Sequence, residues 1–282
     1  MRRGAVRIDE LLGGGETERA DEVVIAPPTW RGHSFIELCE WLVCAKLAKP
    51  GSRATWLASK RGGATGVRKV LDARGWNVVE RKDGAQRVFE GVVPDPGPRP
   101  EPRTFREFDV DFAADWGVFS REHIDEGTRL LIEAAANHDA SFVVDIGTGY
   151  GAIPIVLAKQ GRCARAIGSD VDLAALYLAR ANAIAAGVDV AFMAEADPAN
   201  VDASPLTLCE IPTHTPDTAQ LLGGLAKRAT DGEVLVAVHL ALEARYTRSF
   251  VEAGCHVGSE HGETHAVLAI RSVESVAPGH QM

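Results

Sequence analysis

The apolar positions of this chain fall into short β-branched runs that alternate with segments of helical period. The clearest run is Val143-Val144-Asp145-Ile146, which suits a buried parallel strand ending beside an acid. It is followed by Gly147-Thr148-Gly149-Tyr150-Gly151 and then by Ile153 to Lys159, which continues as a helix. Downstream, the pattern predicts a strand over 165–169 ending in Asp170, a helix over 173–186, a strand over 190–194 leading to Asp197, and a strand over 206–209 running into Glu210. A helix, a strand over 233–240, a further helix and a terminal antiparallel pair close the chain. Strands alternating with helices predict an α/β fold with a doubly wound, mostly parallel sheet.

The first third carries its own, shorter version of this pattern. A strand over 23–26 stops at Pro27-Pro28, and Ser34 to Ala48 reads as an amphipathic helix. A strand over 54–58, a helix over 66–74 and two strands around the turn Asp83-Gly84 follow. Five prolines between Val93 and Thr104 fix φ and remove donors, predicting an extended linker. The expected domains are therefore 1–93 and 104–282, joined by a Pro-rich linker at 94–103. After the linker, Phe105 to Phe112 alternates as one strand, and a helix is expected over 125–136.

The two halves also repeat. Ile25-Ala26-Pro27-Pro28-Thr29-Trp30 matches Cys209-Glu210-Ile211-Pro212-Thr213-His214 in outline, and Gly75-Trp76-Asn77-Val78 matches Gly254-Cys255-His256-Val257. The N-terminal domain thus reads as a half-repeat of the C-terminal one without the glycine loop.

Composition changes this picture little. The 282 residues include no apolar run of membrane-spanning length, and no apolar core follows the two N-terminal arginines as in a secretory signal. Five cysteines without CxxC spacing predict reduced thiols and a cytoplasmic protein. The net charge of −9 is uneven: residues 1–103 hold 18 Lys and Arg against 14 Asp and Glu, and the remainder 12 against 25. Such asymmetry suits separate tasks for the halves, one of them facing phosphates, although ordinary solvated faces produce it too.

The glycine turn is where candidate chemistry concentrates. A strand turning into a helix over glycines exposes backbone N–H groups and lets a ligand lie against the main chain. Gly147-x-Gly149-x-x-Ala152 alone is a loose dinucleotide pattern. Asp145-x-Gly147-x-Gly149-x-Gly151 is more specific, because an acid at the strand end can meet a cationic amino group. That suits S-adenosylmethionine, with Asp170 placed for the ribose hydroxyls and Asp197 for the adenine amino group. Thr148 and Val171 complete the expected cofactor-binding set. Asp172, by position, is the better helix cap and leaves Asp170 free; Asn182 receives no role.

Together with Gly117-Val118-Phe119-Ser120 and Asp125-x-Gly127-Thr128, these residues resemble class I S-adenosylmethionine-dependent methyltransferases. More narrowly, they resemble the small-subunit ribosomal RNA guanine-N2 methyltransferases that carry a degenerate N-terminal copy of the fold. The resemblance implies a Rossmann-like methyltransferase domain, a base amino group in ribosomal or other RNA as acceptor, and an N-terminal domain that holds RNA or supports the catalytic half. It also implies Asn-Pro-Pro-aromatic after the fourth strand, where the asparagine and a proline carbonyl accept the amine hydrogens. This chain has Glu210-Ile211-Pro212-Thr213 there. Glu210 and Pro212 are the expected catalytic residues; Glu210 keeps an acceptor and has the chemistry to take up a proton. The substituted motif equally suits a decayed site.

Two alternatives remain at this point: the same fold acting on a small molecule or protein, and an RNA-binding scaffold without catalysis. No metal is expected, since His256, His261 and His265 have no completing acid or cysteine cluster. The densest basic stretch, Lys60-Arg61 with Arg68, Lys69 and Arg74, suits phosphate contacts. Trp56 and Trp76 suit either base stacking or the core.

Overall fold

The computed structural model describes residues 7–60, 63–211 and 218–273. Packing divides the chain into two compact units, one formed by 1–103 with 114–121 and the other by 104–113 with 122–282.

The first unit opens with α1 (Ile8–Leu12), β1 (Ala20–Ile25) and a 3-10 turn at Thr29–Arg31, and continues with α2 (His33–Leu42). A π-type turn at Val43–Leu47 leads directly into β2 (Ala48–Ser59), so the helix expected to reach Ala48 ends earlier and the strand starts earlier. Then come α3 (Ala64–Ala73), β3 (Val78–Asp83) and β4 (Gln86–Val92), giving a sheet of order β1-β2-β4-β3. Trp56 and Trp76 are buried and meet edge to face at 5.7 Å, so both belong to the core. Buried Glu40 accepts the Trp76 indole N–H at 2.8 Å and lies 3.6 Å from the Arg74 guanidinium. Pairing of this kind is what lets a carboxylate sit among apolar side chains. Residues 94–103 form no helix or strand. Arg74 donates to the Pro98 carbonyl and Arg99 to the Leu12 carbonyl, which ties the segment down.

In the second unit, Phe105–Phe112 is not one strand. β5 (Thr104–Glu107) and β6 (Val110–Ala113) form a hairpin whose turn residues Phe108 and Asp109 take φ of 50° and 58°. The chain continues through α4 (Glu126–Ala136), β7 (Phe142–Ile146), α5 (Ala152–Lys159), β8 (Arg165–Asp170), α6 (Leu173–Ala186) and β9 (Ala191–Ala194). It closes with β10 (Leu206–Glu210), α7 (Thr218–Arg228), β11 (Glu233–His239), α8 (Leu240–Glu252), β12 (Cys255–His261) and β13 (His265–Ser272). The seven-stranded sheet has the order β12-β13-β11-β10-β7-β8-β9, with β7 to β11 parallel and β13 antiparallel to both neighbours. Its core gathers Val144, Val236, Leu268 and Phe250, each worth roughly 1.5–3 kcal/mol when removed from water. Pro154 is tolerated in α5 because the first-turn N–H groups of a helix have no partner within it.

The half-repeat is explicit in the topology. In the first unit β1 is parallel to β2, β4 is antiparallel to β2, and β3 is antiparallel to β4. In the second, β10, β11, β13 and β12 pair in the same order with the same directions. The first unit therefore reproduces the β10–β13 half of the larger sheet and has no counterpart, among the described residues, of β7 to β9. Among the described residues no helix is long and apolar enough to cross a membrane.

Candidate cofactor and acceptor site

The winding of the larger sheet reverses between β7 and β10, and in open α/β sheets a ligand sits at that reversal, beyond the carboxyl ends of the strands. Asp145 of β7 lies there, flanked by β8 with Asp170 and by β10 with Glu210. Asp145 is 1% exposed, and among the described residues its Oδ2 has no hydrogen-bond partner. Burial pushes this carboxyl up to about 7, and the charge of Asp170 adds to the rise. The buried Thr148 hydroxyl opposes that rise.

The glycines account for the loop's shape. Gly147, Gly149 and Gly151 have φ of 77°, 56° and 86°, the left-handed region that side chains other than glycine occupy at a cost. A Cβ at Gly147 or Gly149 would meet no atom of the described residues within 4 Å, so the main chain is uncovered by them at both. At Gly151 it would fall 2.9 Å from Ile155 Cδ1, so that glycine serves packing instead.

Asp170 secures the loop. Its Oδ2 accepts the Gly149 N–H and its Oδ1 the Asp172 N–H, both at 2.8 Å. Burial raises this carboxyl while the two N–H groups oppose the rise. Asp172 caps α6, accepting the N–H groups of Ala174 and Ala175, as its position predicts. Val171 is 69% exposed and offers an apolar surface beside Asp170. Asp197 caps a 3-10 turn (Pro198–Asn200) through the Ala199 N–H at 3.0 Å.

Two residues with no sequence-assigned role position this loop region. Asn182, 2% exposed on α6, donates to the carbonyls of Ala113 and Tyr150 at 3.0 Å and accepts the Ala113 N–H at 2.8 Å. It thereby couples the β5–β6 hairpin to the glycine loop, where Tyr150 packs edge to face on Phe105 and Phe112. Asn182→Ala leaves three backbone groups without their partner, and we expect a loss of about 2–3 kcal/mol in a denaturant titration. Asn182→Asp, which keeps only the acceptor, should not restore it. Arg228 of α7 is the other residue: it is 3% exposed and bonds the segment that follows Asp197.

On the acceptor side, Glu210 ends β10 and its Oε2 lies 2.8 Å from the Thr128 hydroxyl. Asp125 caps α4 by accepting the Thr128 N–H at 3.0 Å, and its Oδ2 lies 3.0 Å from the same hydroxyl. A Cβ at Gly127 would fall 2.7 Å from Glu210 Oε1, so glycine there admits the carboxyl against the helix backbone. The three-residue spacing of Asp125 and Thr128 is therefore a clamp on Glu210. Glu126 binds the turn between β12 and β13, accepting the Thr264 hydroxyl and the N–H groups of Glu263 and Thr264. These bonds, the Thr264 hydroxyl first, hold it down at about 2. Pro212, Thr213 and His214 lie outside the described residues. Among the described residues, no group of three or more His, Cys, Asp or Glu is arranged to hold a metal ion.

The basic stretch of the first unit is internally engaged. Lys60 donates to the Gly84 carbonyl, Arg68 pairs with Asp72, and Arg87 pairs with Glu80. Lys60, Arg68, Glu80 and Arg87 line a cavity of about 250 Å³. Arg61 lies outside the described residues.

Sheet order, glycine loop and half-repeat together define a Rossmann-like, doubly wound α/β fold preceded by a half-repeat unit. More particularly, residues 109–216 match the family model of the methyltransferase small domain. Over 73 residues the chain is 37% identical to the ribosomal RNA small subunit methyltransferase C of Enterobacter sp. (strain 638), covering 26% of this chain and 21% of that protein. The uncharacterized protein YbxB of Bacillus subtilis is 34% identical over 113 residues, covering 39% of this chain and 56% of that one. The chain thus aligns with about a fifth of the first relative's length and about half of the second's. Among solved structures, it is similar to the T. thermophilus 16S rRNA N2 G1207 methyltransferase in complex with AdoMet and guanosine. There the TM-score is 0.73 at 22% identity, covering 90% of this chain and 73% of that one.

Proposed function

We propose that this protein is an S-adenosylmethionine-dependent methyltransferase that modifies a base amino group in ribosomal or other RNA. The observation that carries the reading is the buried Asp145 carboxyl, whose Oδ2 has no hydrogen-bond partner among the described residues, beside the glycine loop. A buried acid without a partner is costly, and an ammonium-bearing ligand supplies that partner. The cofactor of the structural relative is of that kind, and the relative's base acceptor is guanosine. The proposed division of labour gives cofactor binding to 104–282 and RNA or structural support to the 1–93 domain beyond the linker at 94–103.

In this reading Asp145 meets the ammonium, Gly147, Thr148, Gly149 and Gly151 shape the cradle, Asp170 takes the ribose hydroxyls, and Val171 and Asp197 border the adenine. When bound, S-adenosylmethionine would supply an electrophilic methyl group to the amine nitrogen, which would lose a proton in exchange. The chain's own contribution is to hold that amine in line, with Glu210 and Pro212 as the expected acceptors. Glu210 in place of the family's asparagine also favours a second reading, an RNA-binding scaffold of this fold.

A radiolabelled methyl-transfer assay on RNA, protein and small-metabolite fractions separates these. Label in RNA supports the proposal; label only in protein or metabolites overturns the RNA acceptor, and no label anywhere favours the scaffold. Calorimetry adds an independent check on Asp145. With its carboxyl at about 7, ammonium binding should release a fraction of a proton near neutral pH. Apparent binding heats should then vary with the buffer's ionisation enthalpy, and Asp145→Asn should remove that variation.

A further inference from the structure

Glu210 is the point at which this chain leaves the family pattern, and its hydrogen bonds restrict what it does. Asp125 Oδ2 and Glu210 Oε2 both lie on the Thr128 hydroxyl, at 3.0 and 2.8 Å. A hydroxyl carries one hydrogen and donates to one acceptor. Two carboxylate anions here would leave one of them facing only the oxygen lone pairs in a part-buried setting. One added proton removes the conflict, and the surroundings decide where it sits. Asp125 accepts the Thr128 N–H and occupies the N-terminus of an 11-residue helix, so it is stabilised as the anion. Glu210 ends a strand and gains no such field.

We propose that Glu210 works as a neutral carboxylic acid whose Oε2–H donates to Thr128, which passes its own hydrogen to Asp125, leaving Oε1 as the carbonyl that accepts an acceptor-amine hydrogen. A protonated carboxyl and a primary amide share one carbonyl acceptor and a donor beside it. Glu210 thereby stands in for the asparagine, and Thr128 and Asp125 are positioning residues. The inference rests on the methyltransferase reading for the identity of the amine, but not for the protonation state.

The groups around Glu210 agree. Asp125 and Thr128 face it from α4, Asp145 from β7, and Tyr150 from the glycine loop. The His265 ring of β13 approaches the same Gly127 backbone, while its Nδ1 is turned to Thr264 and Glu126. The nearby cation Arg129 is paired with Glu107. Burial, followed by the charge of Asp125, pushes Glu210 up to about 8. The consequence corrects the expectation that Glu210 takes up the reaction's proton: a carboxyl already protonated does not, and the amine proton leaves to solvent.

Carboxyl-labelled glutamate in the full-length, cofactor-free protein tests the protonation state directly by NMR titration. One glutamate resonance should titrate near 8, vanish in Glu210→Gln, and move down by about one unit or more in Asp125→Asn as the neighbouring charge is removed. A raised acid costs the folded state stability as pH climbs from the ordinary range towards about 8, so wild type should melt progressively earlier across that window and Glu210→Gln should not. In the transfer assay Glu210→Ala should lose at least 100-fold, with Glu210→Gln recovering at least 30-fold over it and lacking the wild-type decline above pH 8. A Glu210 resonance in the ordinary carboxylate range, or a Gln variant as inactive as Ala with intact cofactor binding, overturns the proposal. A wild-type chain that binds no S-adenosylmethionine overturns the functional reading instead, and the titration still decides the protonation state.

Discussion

Asp170→Ala should bind S-adenosylmethionine at least 100-fold more weakly than wild type. The expectation follows from pairing the loop-bracing bonds of this carboxylate with the ribose contact proposed for it. Its Oδ2 accepts the Gly149 N–H and its Oδ1 the Asp172 N–H, both at 2.8 Å, and in the proposed complex the ribose hydroxyls add to these. Hydrogen bonds to a charged group contribute about 1.5–3 kcal/mol apiece, and every 1.4 kcal/mol is about tenfold in affinity, so losing two gives 100-fold as the lower bound. The alanine also releases the Gly149 N–H and with it the loop's fixed shape. Asp170→Asn should fare little better, because its amide NH2 would face one of the two N–H donors. Calorimetry at matched protein concentration reads the loss, and thermal unfolding shows whether the fold survives. Binding within fivefold of wild type would mean that Asp170 only braces the loop and touches no ligand.

The geometry around Asp170 shows which placements, as distinct from roles, were legible in the sequence. The glycine loop was, because three positive-φ positions in five residues demand glycine and leave a mark that does not depend on the rest of the fold. Asp145 and Asp170 were, because a strand end places its last acid without help from distant residues. The half-repeat was legible as well, since the Pro-Pro and Gly-Trp segments recur in order, and strand directions follow from connection lengths. The Phe105–Phe112 hairpin was not, because its turn uses Phe108 and Asp109 where glycine would have signalled it. Trp56 and Trp76 could not be assigned between surface and core until their mutual packing was seen. Asn182 sits mid-helix like any polar residue, and its partners Ala113 and Tyr150 lie 69 and 32 positions away. The Asp125-x-Gly127-Thr128 segment could be recognised but not explained, because the side chain it clamps comes 82 positions later. Long-range polar contacts of this kind leave no periodicity, and periodicity is what a single sequence offers.

Arg228 makes the strongest structural case of that kind. Its guanidinium is 3% exposed, and its hydrogen bonds go to Thr207 Oγ1 and the carbonyls of Pro198, Val201 and Asp202. None of these is a carboxylate, so the buried cation is stabilised mainly by oriented dipoles, and burial lowers its pKa. Removing the head group leaves three carbonyls and a hydroxyl without their donor, and the carbonyls belong to the turn that begins at Asp197. Arg228→Met keeps most of the side-chain volume and isolates the polar loss. We expect it to cost about 3–5 kcal/mol, the range seen when a buried charged network loses a member, and to lower Tm by roughly 10 °C. Arg228→Lys should recover little, because one ammonium cannot serve acceptors that a planar fork reaches from three nitrogens. In the proposed cofactor-binding mode the same variants should weaken binding less than Asp170→Ala does, since they loosen the Asp197 turn and leave Asp170 in place. A methionine variant that melts within 2 °C of wild type would show that the guanidinium network adds no stability beyond its packing, and that the Asp197 turn is held by its own backbone.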